Sequence, residues 1–78
     1  MTYDEARPHI FEKLGAFLNR PIADADLDMT YEQLGADSMD MVALAFALEQ
    51  LTGRAFEPEL FLQHGTIRDA LNAFFAND

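Results

Sequence analysis

Cysteine is absent from the 78 residues. That excludes a disulfide scaffold, a thiolate metal site and a thiol nucleophile of the chain's own, so any thiol chemistry has to be brought in by an attached group. Positive charge is scarce, with 5 basic residues against 14 acidic ones and a formal net charge of −9. Such a surface repels nucleic acid and anionic membranes, which leaves basic protein surfaces as the natural counterparts. Long apolar runs are also missing. No uncharged run exceeds eight residues, the length of Met41 to Leu48, against the roughly 20 needed to span a bilayer. The opening MTYDEARPHI is acidic where a signal peptide is basic, and it lacks an apolar segment. The expectation is a soluble cytoplasmic monomer that engages neither nucleic acid nor membrane.

Half of the residues are hydrophobic, and seven Phe with two Tyr supply the aromatics. This suffices for one small domain over residues 1–78 that folds alone, near the size at which burial only modestly exceeds lost entropy. From about Asp4 to Asn19, Ala6, Ile10, Leu14 and Phe17 recur at helical spacing, with Phe11 and Leu18 widening the stripe into a core face. Pro8 interrupts this period, so the helix either starts late or forgoes an early hydrogen bond. Arg20 to Ala36 has no sustained period. So long a connection must be pinned, and Ile22, Leu27, Tyr31 and Leu34 are the apolar pins, with a helical turn capped by Thr30 and Gln33. Asp24, Asp26 and Asp28 are spaced like the start of a calcium loop. Its sixth and twelfth positions, however, hold Met29 and Gly35 in place of glycine and a bidentate Glu, so a solvated acidic loop is the better reading and no metal site is assigned.

The stretch around which the chain is organised is LGADSMDMVALAFALEQL, Leu34 to Leu51. Asp37 is a good N-cap, and Asp40 completes an acidic capping box, which puts Ser38 in the first turn of a long helix with its hydroxyl toward water. An anionic phosphate on Ser38 would meet free amides and the positive end of the helix dipole. At 100° per residue the helix carries two apolar groups. Met41, Leu44, Ala45, Leu48 and Leu51 lie on one side, and Met39, Val42 and Phe46 lie nearly opposite. One core cannot bury both centrally. Leaving a residue of the size of Phe46 in water forgoes roughly 1.5–3 kcal/mol, so an exposed second group beside Ser38 suggests a docking surface. Thr52-Gly53 stops this helix, Phe56 packs back into the core, and Glu57-Pro58 opens a short helix through His64 that Gly65 closes. Thr66 and Asp69 start a last helix whose apolar face is Ile67, Ala70, Leu71, Phe74 and Phe75, and Asn77-Asp78 fray. The fold expected is all-α, a four-helix bundle with a long first loop and a short third helix.

Catalysis by these residues has little support. Ser38, His64 and an aspartate could in principle form a hydrolytic triad, yet the serine is not on a Gly-x-Ser-x-Gly elbow and the chain is small for a substrate pocket. His9 and His64 lack a shared zinc-ligand spacing.

LGADSMD followed by a helix ending LEQLTG resembles the acyl carrier protein family, and the likeness extends over nearly the whole chain. The resemblance implies a non-catalytic carrier whose Ser38, flanked by Asp37, receives a covalent 4′-phosphopantetheine arm from a phosphopantetheinyl transferase. The arm's thiol would hold acyl groups as thioesters and present them to acyl-loading, condensing or tailoring enzymes docking along Met39, Asp40, Val42 and Phe46. Asp37 has two adequate explanations, the helix cap and a contact to the transferase or its metal. Family members that handle long chains sequester them between helices, for which Ala43, Ala45 and Ala47 leave space and Met41 offers an adaptable wall. Fatty-acid carriers resemble one another in a densely acidic second helix, whereas here only Asp40 and Glu49 are charged. The tail PELFLQHGTIRDALNAFF is more similar to carriers of polyketide and nonribosomal peptide assembly, which favours a freestanding carrier in specialised metabolism. The alternatives are a peptidyl carrier, a fatty-acid carrier and, in a different class, an unmodified helical adaptor.

Overall fold

The computed structural model describes residues 1–63 and 65–76; the predicted roles of His64, Asn77 and Asp78 lie outside them. Every regular element among the described residues is helical: α1 (Tyr3–Leu18), a 3₁₀ turn (Asp24–Asp28), α2 (Tyr31–Leu34), α3 (Ser38–Thr52), α4 (Glu59–Gln63) and α5 (Ile67–Phe75). This is the expected small helical bundle, with α4 as the short third main helix and the one-turn α2 inside the long first connection.

α1 begins a residue earlier than its apolar period. Thr2 and Glu5 form a reciprocal capping box, with the Thr2 amide donating to Glu5 Oε1 at 2.9 Å and the Glu5 amide to Thr2 Oγ1 at 3.3 Å. The structure decides between the two Pro8 alternatives: the helix does not start late and runs through the proline. Pro8 has no amide to give the carbonyl of Asp4. Both residues are exposed, so water can satisfy that carbonyl. At the far end, a Cβ on Gly15 would sit 3.0 Å from the Arg20 carbonyl oxygen, so a side chain here would press on the backbone where the chain turns back.

The long connection is pinned as its apolar residues predict. Leu27 and Leu34 are buried and Ile22 and Tyr31 half-buried. It has polar anchors as well. From the first turn of α5, Arg68 donates to the carboxylates of Asp28 and Asp24, the latter at 2.9 Å, and to the Asp24 carbonyl at 2.8 Å. The Ile67 amide adds a bond to the Met29 carbonyl at 3.1 Å. Asp26 takes the Ala23 amide at 2.8 Å and Arg20 at 3.2 Å. The three aspartates therefore work as loop fasteners.

The core is one cluster: Ala6, Ile10 and Leu14 of α1, Met41, Leu44, Ala45 and Leu48 of α3, and Ile67, Ala70, Leu71 and Phe74 of α5. Phe56, on the way to α4, returns to this core as expected. It stacks on Phe61 with ring centroids 4.9 Å apart and meets Phe74 at 4.5 Å. Pro58 sits one residue before α4, its carbonyl accepting from Phe61 at 3.0 Å, so it leads into the helix from a preceding turn.

Candidate functional site

The site is built at the junction of α2 and α3. The backbone leaves α2 through Gly35 at φ 95°, a left-handed conformation that strains any side chain, while the Gly35 and Ala36 amides close onto the carbonyls of Glu32 and Tyr31. Leu34 and Ala36, on either side, are both buried. With these two directed inward, the extended Asp37 and the following Ser38 are carried outward, and both are exposed.

Asp37 is the N-cap of α3, as its sequence context predicts. Its Oδ1 accepts from the Asp40 amide at 2.8 Å, and Asp40 Oδ2 accepts from the Asp37 amide at 3.2 Å. This box takes two of the amide donors at the helix start. The amides of Ser38 and Met39, which no preceding turn can reach, remain at the positive end of the dipole beside the serine hydroxyl. The carboxylates of Asp37 and Asp40 stand beside these donors, so an anion at this helix start meets opposing charge as well as free amides.

Downstream, the two apolar groups of α3 separate as the helical wheel requires. Met41, Leu44, Ala45 and Leu48 are buried and Leu51 is half-buried, whereas Met39, Val42 and Phe46 are 70%, 42% and 62% exposed. Neither α1 nor the long connection covers the second group. Asp40 is half-buried at its upper edge.

Beside this face lies a cleft of about 540 Å³ between α1 and α3, with Phe17, Ala43, Phe46, Ala47 and Leu51 among its apolar walls. Space on this helix was expected from Ala43, Ala45 and Ala47, with Met41 as a wall. Ala43 and Ala47 do border the cleft; Ala45 and Met41 are instead core residues. His9 and Lys13 of α1 also line it. Their place here is not legible along the chain, because a polar residue on the flank of an amphipathic helix looks like ordinary solvated surface until its neighbour is placed.

A sequence profile described as "Phosphopantetheine attachment site" matches residues 9–74. The chain is 25% identical over 77 residues to "Polyketide synthase PksL" of Bacillus subtilis, which covers 99% of this chain and 2% of that protein. It is 42% identical over 43 residues to "Acyl carrier protein 2" of Ralstonia nicotianae, covering 55% of this chain and 53% of that one. The chain thus spans a small part of the first relative and about half of the second. No solved structure gives a significant match. Since the profile takes in the end of α2, the capped serine and the whole of α3 within a match that leaves only the chain's two ends outside, the protein is a member of the phosphopantetheine attachment site family.

Proposed function

We propose that this protein is an acyl carrier whose 4′-phosphopantetheine arm is esterified to Ser38 Oγ. The single observation that carries the reading is an exposed serine opening a capped helix in a chain of this family. The arm, when bound, supplies a terminal thiol on a flexible tether, the group that takes up acyl cargo. The chain's own residues do the rest. Leu34, Gly35 and Ala36 fix the loop so that the hydroxyl faces outward, and the Asp37–Asp40 box holds the first turn of α3 rigid beneath it. Met39, Val42 and Phe46 offer partner enzymes an apolar contact beside the tether. Tethering then raises the concentration of cargo at each docked active site without a tight complex. Catalysis belongs to the partners: a phosphopantetheinyl transferase first, then loading, condensing or tailoring enzymes. The residues form one carrier domain over positions 1–78, acting as a cytoplasmic monomer.

A polyketide or related specialised pathway is the favoured setting. The likeness to PksL over nearly the full chain supports it, as do the few charges on α3, where Asp40 and Glu49 are the acids.

Incubation with coenzyme A and a promiscuous phosphopantetheinyl transferase, followed by intact-mass measurement, tests the reading. The expected result is one phosphopantetheinyl addition to the wild-type chain and none to Ser38→Ala. An unchanged wild-type mass would overturn the carrier reading in favour of an unmodified adaptor.

A further inference from the structure

We propose that the cleft between α1 and α3 is a noncovalent binding site for straight-chain carboxylates of about ten carbons, separate from the serine and its arm. The size follows from the walls. The cleft follows α3 from Ala43 to Leu51, about 12 Å along the axis at 1.5 Å per residue, and an extended chain advancing about 1.2 Å per bond fills that length with about ten bonds. Its volume of about 540 Å³ lies within the roughly 300–1,000 Å³ of small-ligand sites.

The charge of the ligand follows from what lines the cleft. Fourteen residues of this chain are acidic, and none is among the cleft's lining residues, whereas Lys13 and His9 both are. The four arginines are engaged elsewhere: Arg7 with Asp24, Arg20 with Asp26, Arg68 with Asp24 and Asp28, and Arg54 with the Phe74 carbonyl and ring. Lys13 forms none of the ion pairs found among the described residues. An apolar trough lined by a lysine and by no acidic residue suits an aliphatic tail ending in one carboxylate. A monoanion brings one charge to a chain of charge −9 where an acidic protein segment would bring several, and charges more than about 8 Å from it are screened.

The test uses the unmodified chain labelled with ¹⁵N, titrated below micelle-forming concentrations with octanoate, decanoate and dodecanoate. Saturable shifts are expected at Phe17, Ala43 and Ala47; decanoate should bind about three- to tenfold tighter than octanoate, and dodecanoate should gain little more because its last two carbons pass the end of the walls. Lys13→Gln should weaken decanoate about two- to fivefold while leaving decanol unchanged, because the pairing is exposed and modest. Ala47→Leu, which narrows the trough, should weaken both. Equal binding of decyltrimethylammonium and decanoate would overturn the proposal. So would shifts centred on Leu60 and Phe74, or none up to about 1 mM ligand. Cleft shifts already present in an acyl-loaded form without added carboxylate would assign the trough to the chain's own cargo, which also overturns it. None of these outcomes bears on modification of Ser38, which the mass measurement decides alone.

Discussion

Replacing Phe46 by alanine removes a ring that is 62% exposed. Full burial of a phenylalanine is worth about 1.5–3 kcal/mol, so the part of this ring that touches the protein contributes about 0.6–1.1 kcal/mol. Alanine recovers up to about 0.5 kcal/mol of that through its better helix propensity. The net loss is about 0.5 kcal/mol, a fall of about 2–4 °C in Tm for a domain of this size. Phe56→Ala is the matched control. That ring is 1% exposed and sits between Phe61 and Phe74 at 4.9 and 4.5 Å, so its loss should cost about 3–5 kcal/mol. The total stability expected for such a chain is only about 4–12 kcal/mol. Thermal and urea unfolding followed by circular dichroism measure both variants, and phosphopantetheinyl transferase kinetics on Ser38 measure docking. If Phe46 anchors the partner, Phe46→Ala should lower kcat/KM about 5- to 30-fold, the equivalent of losing a contact worth about 1–2 kcal/mol. A stability loss above about 2 kcal/mol, with kcat/KM within about twofold of wild type, would refute the assignment of Phe46 to an outward docking face.

Arg68→Met should cost about 1–2 kcal/mol by releasing Asp24 and Asp28, and hydrogen exchange at Leu27–Met29 should speed up before global unfolding does. Asp37→Ala should lose about 1 kcal/mol of capping energy while Asp37→Asn keeps most of it. A transferase rate that falls in the Asn variant at unchanged Tm would show the carboxylate touching the enzyme, and equal rates would leave it the cap alone. The Tyr3 hydroxyl is buried with no hydrogen-bond partner among the described residues, so Tyr3→Phe should be neutral or stabilising by up to about 1 kcal/mol in thermal melts. Stability should fall at both extremes of pH. Hydrogen bonds to the Thr2 amide and hydroxyl hold the Glu5 carboxyl below its ordinary range, and the Ala23 amide followed by Arg20 does the same for Asp26. Their contribution is present above the ordinary carboxylate values and is lost as pH falls through the lowered ones. Burial raises the Tyr3 phenol above its ordinary value of 10, aided by Asp24 and only partly countered by Arg68 and Arg7. That contribution is present below pH 10 and is lost above it, so the alkaline decline should shrink in Tyr3→Phe.

Local rules made much of this molecule legible in its sequence. The capping boxes at Thr30–Gln33 and Asp37–Asp40, the glycine that ends α3 and the threonine that starts α5 all lie where short-range signals place them, because each depends on atoms within four residues. The Thr2–Glu5 box carries the same spacing, and it sets the start of α1 that the apolar period alone places at about Asp4. Pro8 shows the limit. Its sequence allowed either a late start or a lost bond, and the choice fell to the lost bond because Asp4 and Pro8 are exposed on a helix fixed at both ends by its cap and its core face.

That Ser38 opens a helix with two opposed apolar faces is readable from residue order, since the cap is local and the faces repeat with the helical period. Which face would stay in water was settled by packing: Met41, Leu44 and Leu48 join the core cluster with residues of α1 and α5, and the opposite side of α3 is left exposed. The clasp of Arg68 on aspartates 40 and 44 residues away, and the trough that gathers Lys13 with Ala43 and Ala47, came from the tertiary structure alone. Contacts between distant segments depend on how the elements cross in space, and no spacing along the chain encodes them.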